Sequence, residues 1–173
     1  MLARAEEAAI DADTALEQLY AAHYAGLVRM AVLLLRDQGL AEDVVQDSFV
    51  AMHGRWQRID PAKAPAYLRQ TVVNRSRSAL RHRTVVARHR PEPMPDAAPA
   101  DESVLRTERR ASVLDALADL PVRQREVLVL RHYLDLSEAD IATTLGISRG
   151  AVKSHASRAA AALRARLTPE DDS

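Results

Sequence analysis

The sequence has no cysteine among its 173 residues. The chain therefore has no disulfide framework and no thiolate metal site, and it needs no oxidising compartment. Aromatic residues are also scarce, at 3% against 47% apolar residues. A core built from Ala, Leu and Val favours packed helices over a β-sandwich. With only five glycines, the sequence lacks the glycine-rich loops that hold nucleotide phosphates.

Long apolar runs and clustered histidines are missing as well. The longest apolar run, 30–35, falls far short of the roughly 20 residues that cross a bilayer. The acidic N-terminus lacks the apolar core of a signal peptide. We therefore expect a soluble, cytoplasmic protein. The six histidines are scattered singly, which predicts no metal site, no cofactor and no catalytic residue.

Charge is balanced overall but strongly segregated along the chain. Residues 1–54 hold 3 arginines and 9 acids, whereas 55–90 hold 10 basic residues and one acid. A second basic block, 149–166, has five basic residues and no acid. Two separated basic blocks predict a long polyanion that is bound at two places.

Apolar spacing predicts an all-α protein of two modules. Residues 16–34 repeat at helical spacing, and a second helix from Ala41 carries the stripe Val45, Phe49, Met52 and Trp56. A third helix, about 65–83, carries the first basic block. Proline-rich residues then interrupt the helical pattern, which resumes at about 104 and includes a helix over about 122–133. We predict helical modules at 14–84 and 104–167 joined by a linker at 85–103.

The stretch SEADIATTLGISRGAVKSHASRA, 137–159, predicts a helix-turn-helix. Ser137 and Ser148 suit the N-caps of its two helices, and Gly146 suits the turn between them. Ala142 is small where the helices cross closely. The second helix presents a polar row suited to a DNA major groove: Arg149, Lys153, Ser154, Ser157 and Arg158.

Four segments in order extend this interpretation beyond DNA binding. They are LYAAHYAGLVRMAVLLLRD, AEDVVQDSFVAMHGRWQRI, APAYLRQTVVNRSRSALRHR and LADLPVRQREVLVLRHYLDLSEADIATTLGISRGAVKSHASRA. Together they resemble the conserved regions of an extracytoplasmic-function (group 4, sigma-70 family) RNA polymerase sigma factor. The resemblance covers nearly the whole chain except its first dozen residues and the linker. It implies a region 2 bundle for polymerase binding, −10 recognition and melting, and a region 4 helix-turn-helix for −35 recognition.

The resemblance also implies a role for individual residues. Contacts to core polymerase would come from Glu42, Asp43, Gln46 and Asp47. Contacts to the −10 element, together with the 59–66 loop, would come from Trp56, Arg58, Asn74, Arg75, Arg77, Ser78, Arg81 and Arg83. Trp56 also fits the apolar stripe of its helix, so a packing role stays open. Contacts to the −35 element would come from Lys153, Ser154 and Arg158, with Arg149, Ser157 and Arg125 as secondary candidates.

Two residues depart from the family pattern. His155 and Ala156 stand where relatives usually have Arg and a larger apolar residue, which leaves the −35 preference open. The implied partners are bacterial core RNA polymerase, promoter DNA and an anti-sigma factor, and the resemblance places the acidic linker near the RNA exit path. The alternative is a conventional helix-turn-helix regulator that never joins the polymerase. Binding to core polymerase discriminates between the two.

Overall fold

The computed structural model describes residues 2–88 and 104–167, with side chains over 12–88 and 108–167. Within these ranges the chain is helical and contains no strand, so the predicted all-α class is confirmed. The helices are α1 (Leu2–Leu35), α2 (Gln38–His53), α3 (Ala64–Ala87), α4 (Val104–Ala118), α5 (Val122–Leu128), α6 (Glu138–Leu145) and α7 (Arg149–Leu167). We call α1–α3 the N-terminal body and α4–α7 the C-terminal body.

The junction of α1 and α2 is a tight turn. Arg36 adopts a positive φ of 56°, which ends α1. Asp37 then caps α2, because its side chain accepts a hydrogen bond from the Leu40 amide at 2.9 Å. The predicted stop is therefore confirmed at Arg36, whereas Gly39 lies inside α2. Helix α1 also begins at Leu2, well before the predicted module boundary at 14.

Two short 3₁₀ turns, Trp56–Arg58 and Pro61–Lys63, carry the chain from α2 to α3. The Asp60 side chain caps the second turn by accepting from the Ala62 amide at 3.0 Å. Pro65 occupies the first turn of α3, where its missing N–H costs no hydrogen bond. The third predicted helix is thus present, and it extends to Ala87.

Large side chains fill the N-terminal body. Met30, Met52 and Leu68 are fully buried, one from each of its helices. The predicted stripe of α2 also lies in the core, with Val45 and Phe49 buried. The Ala12–Leu35 part of α1 is long and apolar enough to cross a membrane, but a core helix passes the same test. In this protein Met30 is part of the hydrophobic core.

The C-terminal body is built from shorter elements. Helix α4 ends before Pro121, as the Leu120-Pro121 break predicts. The predicted helix over 122–133 has two parts, because α5 ends at Leu128 and a π-helical turn covers Val129–Tyr133. Helices α6 and α7 follow as the predicted helix-turn-helix.

The two bodies pack against each other, which the sequence did not predict. One hydrophobic cluster contains residues of both bodies, including Leu34 and Val73 from the first and Val127 and Ile141 from the second. Helix α3 packs against α6, and α1 packs against α4. Most of the predicted linker, residues 89–103, lies outside the described residues.

Candidate nucleic-acid interface

The turn of the helix-turn-helix has the geometry that its residues predict. The Ser137 hydroxyl accepts from the Asp140 amide at 3.1 Å and donates to its carboxylate at 2.6 Å. Gly146 adopts a left-handed φ of 64°, and its amide donates to the Ala142 carbonyl. The Ser148 hydroxyl accepts from the Ala151 amide at 3.1 Å and so caps α7.

Small residues let α6 and α7 approach closely. Ala142 belongs to the same buried cluster as Val152 and Ala156, and Ile147 packs against it. The departure at Ala156 is therefore a position in the core, where its methyl group packs. His155 is half-buried, which distinguishes it from the exposed polar row.

The polar row of α7 faces solvent. Its members are all exposed: Arg149, Lys153, Ser154, Ser157 and Arg158. Lys153 Nζ lies 3.8 Å from a carboxylate oxygen of Glu138, and such a surface ion pair is readily exchanged for a phosphate. A row of cations and hydroxyls on the second helix of this motif can contact base edges and phosphates in a major groove.

A second candidate surface lies where the end of α2 faces α3. An open cleft of about 660 Å³ is lined there by Tyr67, Gln70 and Thr71, together with three of the predicted −10 residues, Asn74, Arg75 and Ser78. Amides and hydroxyls can read the edges of unpaired bases, and an aromatic ring can stack on them. The cleft is therefore chemically suited to a separated DNA strand.

The remaining predicted −10 residues lie around this cleft rather than in it. Trp56 is partly buried and packs against the core as the apolar stripe predicts, but it does so from the 3₁₀ turn after α2, because α2 ends at His53. Arg58 is exposed on the same 3₁₀ turn, and neither residue lines the cleft. Arg81 and Arg83 are exposed further along α3.

Three arginines of α3 already have carboxylate partners. Arg75 Nη1 lies 3.8 Å from Asp47 Oδ2, and Arg83 Nη2 lies 2.9 Å from Asp37 Oδ2. Arg77 is more enclosed, and its Nε donates to Glu126 of the C-terminal body at 2.8 Å. Helix α3 is thus basic in sequence but partly neutralised in this conformation.

The solvent side of α2 is acidic. Asp43, Gln46 and Asp47 are exposed, and Val50 continues the same face at 72% exposure. Glu42 is half-exposed and accepts from the Gln38 side chain at 2.6 Å. All four predicted polymerase-binding residues therefore share an accessible part of this helix.

Arg125 corrects one prediction. It was expected as a secondary −35 contact, but it is only 7% exposed. Its guanidinium donates to four carbonyl oxygens at the ends of α1 and α4, those of Leu34, Leu117, Ala118 and Leu120, at 2.5 to 3.2 Å. The last carbonyls of a helix lack partners within the helix and attract cations. Arg125 is therefore a buried cap for two helices and has no surface to offer DNA in this conformation.

Burial has an electrostatic cost at Arg125. Loss of hydration lowers the pKa of its guanidinium from the usual value, and the Glu126 carboxylate opposes that shift. The carbonyl oxygens supply the acceptors that the buried cation requires.

Sequence reasoning missed the residues that join the bodies. Glu126 is 2% exposed and bound by Arg77 and Arg123, while the Tyr133 hydroxyl accepts from Arg29 Nε at 3.0 Å. A signal for Glu126 exists in the sequence. It lies four residues after Val122 and four before Leu130, which puts a carboxylate on the apolar face of its helix.

An exposed helix-turn-helix, a cleft that contains an arginine and a helix with an acidic face indicate an all-helical DNA-binding protein. Comparison with known families identifies which one. Residues 19–85 match the family described as Sigma-70 region 2, and residues 110–163 match Sigma-70, region 4.

Curated relatives agree with the family match. The RNA polymerase sigma-E factor of Streptomyces avermitilis is 38% identical over 146 residues, which cover 84% of this chain and 80% of the relative. The ECF RNA polymerase sigma factor SigL of Mycobacterium tuberculosis is 35% identical over an alignment of 175 positions, which covers 96% of each chain. This chain belongs to the sigma-70 family, in its extracytoplasmic-function group, and is a sigma factor that binds core RNA polymerase and directs transcription initiation.

Solved structures share the architecture. CnrH, in complex with the cytosolic domain of CnrY, matches with a TM-score of 0.68 and 29% identity over 92% of this chain and 96% of that one. The sigma factor RpoE of Bartonella quintana, in complex with the anti-sigma factor NepR, matches with a TM-score of 0.72 over 89% of this chain and 97% of that one. At 24% identity the second likeness supports the fold alone.

Proposed function

We propose that three surfaces of this sigma factor have separate binding roles. The exposed acidic face of α2 binds core polymerase, the cleft between α2 and α3 holds the separated −10 strand, and the polar row of α7 reads the −35 element. One observation carries this assignment. Asn74, Arg75 and Ser78 line one cleft with an aromatic ring, Tyr67, while all five α7 residues are exposed on a separate helix.

The cleft supports strand capture through its chemistry. A base that leaves the duplex needs polar groups for its edge and cations for the phosphates beside it. Gln70, Thr71 and Asn74 supply the first, and Arg75 supplies the second. This assignment uses Tyr67 as the stacking surface and leaves Trp56 to core packing.

The protein is proposed to act without catalysis of its own and in the cytoplasm, where the polymerase it serves transcribes DNA. No group of three or more potential metal ligands occurs in the described ranges. An anti-sigma factor that covers the polymerase-binding face is proposed as a regulatory partner, in line with the family resemblance. The module limits 14–84, 85–103 and 104–167 stay predictions.

Paired substitutions test the division of labour. Lys153→Ala with Arg158→Ala should weaken promoter binding and leave polymerase binding intact, because both cations are exposed on α7. Asp43→Ala with Gln46→Ala should do the reverse, and Asp47 is left in place because its carboxylate pairs with Arg75 of the cleft. Co-elution with core polymerase and transcription from a fragment library measure the two activities separately.

Each pair serves as the control for the other. Arg109→Ala with Arg110→Ala is a further control, since it removes two exposed cations from α4 of the same body. Equal loss of both activities in both pairs, with circular dichroism unchanged, would overturn the assignment. Failure of the wild type to bind core polymerase would move the protein to the class of conventional regulators.

A further inference from the structure

One carboxylate on the surface of the helix-turn-helix lies between two cations. Glu138 Oε2 lies 3.8 Å from Lys153 Nζ, and Glu138 Oε1 lies 3.9 Å from Arg131 Nη1. Lys153 belongs to α7, Glu138 begins α6, and Arg131 belongs to the π-helical turn Val129–Tyr133. Because Lys153 is part of the exposed polar row, Glu138 lies at the edge of the surface that we assign to DNA.

Glu138 is more enclosed than the two cations that it joins. Its side chain is 25% exposed, against 67% for the side chain of Lys153. It lies in the first turn of α6, where the positive end of the helix dipole favours a carboxylate. The other acid of this turn, Asp140, is engaged instead by the Ser137 hydroxyl at 2.6 Å. Glu138 is thus the acid of this turn that is paired with a cation of α7.

This pairing changes what Lys153 can gain from a phosphate. A cation that binds DNA displaces condensed counterions, and their release provides much of the free energy of phosphate binding. When Lys153 leaves Glu138 for a phosphate, the freed carboxylate attracts a cation from solution in return. The freed carboxylate also repels the phosphates of the approaching duplex. The gain from the phosphate contact is therefore largely offset by the loss of the contact to Glu138.

Two other cations of the same motif have no such competitor. Arg149 and Arg158 are exposed on α7, and within the described ranges neither has a carboxylate at ion-pair distance. Each of them keeps the full gain from a phosphate contact. The motif therefore contains two kinds of cation, those that share Glu138 and those that are unpaired.

We propose that Glu138 sets the affinity and the salt dependence of the helix-turn-helix for DNA, because it competes with phosphates for Lys153 and Arg131. The competition itself follows from the two ion pairs. The assignment of α7 to the −35 element rests on the proposed function.

Glu138→Gln tests the competition, because it removes the charge and keeps the size of the side chain. The probe is a fluorescent, mixed-sequence duplex of about 30 base pairs, and the full-length protein should bind it up to about fivefold more tightly. The plot of log affinity against log salt concentration should become steeper by about 0.9, which is the value for one more counterion released. Fluorescence anisotropy over a series of salt concentrations measures both quantities.

Glu108→Gln is the matched control. It makes the same charge change at an exposed site on α4 of the same body. It should leave both the affinity and the salt slope at their wild-type values. Equal changes in Glu108→Gln and Glu138→Gln would show that net charge alone is responsible and would overturn the proposal.

A double-mutant comparison distinguishes competition for Lys153 from a change in α6. In the wild type, Lys153→Ala should reduce the salt slope by less than Arg158→Ala does, because Lys153 already has a carboxylate partner. In the Glu138→Gln background, the two alanine variants should reduce it equally. A difference that persists in this background would contradict the competition.

Glu138→Asp guards against a loss of structure in α6, since it keeps an acid in the first turn. Its side chain is one methylene shorter, so it should steepen the salt slope by less than Glu138→Gln does. Wild-type slopes in both Glu138 variants would overturn the competitor role. If Lys153→Ala with Arg158→Ala leaves duplex binding unchanged, α7 does not bind DNA, and the proposed function fails together with the competitor role.

Discussion

Helices α3 and α7, for which we propose contacts to DNA, differ in how many of the proposed contact arginines are paired with carboxylates. On α3, Arg75, Arg77 and Arg83 each pair with a carboxylate. On α7, Arg149 and Arg158 are exposed, and no ion pair to either is found in the described part of the chain. In the proposed DNA complex, α7 would release the Lys153–Glu138 ion pair, whereas α3 would exchange three carboxylates for phosphates.

The N-terminal body and the helix-turn-helix also differ in the size of the side chains that they pack. The N-terminal body packs large side chains such as Met30, Met52 and Leu68. The helix-turn-helix also buries Ile141 and Leu145, but small residues, Ala142 and Ala156, lie where its two helices meet. Truncation of a large side chain should therefore destabilise the N-terminal body, and enlargement of a small one should disturb the helix-turn-helix.

The largest expected effect follows from truncation in the N-terminal body. Leu68→Ala removes a fully buried side chain and should lower the free energy of unfolding by about 2–5 kcal/mol. Urea unfolding can be followed by helical circular dichroism and by Trp56, the one tryptophan in the sequence. Because the bodies share a hydrophobic cluster, both signals should move together in a single transition.

Val50→Ala is the control for that truncation. Its side chain is 72% exposed on α2, so the free energy of unfolding should stay within about 0.5 kcal/mol of the wild type. Two separate transitions, with only the tryptophan signal shifted by Leu68→Ala, would show that the bodies unfold independently and would break the comparison.

Enlarging a side chain in the helix-turn-helix should have the next largest effect on the free energy of unfolding. Ala142→Leu adds bulk where α6 and α7 meet and should cost about 1–3 kcal/mol of stability. It should also weaken duplex binding, because α7 would be displaced from its position on α6. Ala161→Leu, at an exposed site of α7, should change neither quantity in the same urea and duplex-binding assays. Unchanged stability in Ala142→Leu would mean that the helices do not need a small residue there.

The sequence predicted much of the local structure because local signals determine it. The caps at Ser137 and Ser148, the turn at Gly146 and the break before Pro121 all follow from neighbouring residues. The family was equally predictable, because four motifs in order leave few alternatives. The surfaces of α2 and α7 followed from helical periodicity.

The contacts between the bodies could not be predicted in the same way. An arginine that caps buried carbonyls and an arginine that contacts a phosphate look alike in sequence, so Arg125 was assigned to DNA. Its burial depends on the nearby end of α4 and also on the end of α1, whose Leu34 lies 91 positions earlier in the chain. Glu126 had a recognisable place on an apolar helix face, but its partner Arg77 lies 49 positions earlier.

The smallest expected effect concerns the turn that orients α7. Gly146 has a φ of 64°, and a Cβ added to it would meet no atom within 4 Å. Gly146→Ala should therefore cost about 1 kcal/mol from backbone strain alone, without a steric clash. Thermal and urea unfolding of the variant measure this cost.

Gly150→Ala distinguishes backbone strain at Gly146 from the general effect of replacing a glycine with alanine. Gly150 lies in α7, and an added Cβ would meet only the Ser148 hydroxyl oxygen at 3.8 Å, which is an ordinary contact. Alanine favours a helix over glycine by up to about 1 kcal/mol, so this variant should be as stable as the wild type or more stable. If Gly146→Ala lowers the free energy of unfolding and Gly150→Ala raises it, the strain lies in the left-handed turn. Equal losses would mean instead that the turn tolerates alanine no worse than the helix does, and that the position of α7 depends on the packing of Ala142 and Ala156 alone.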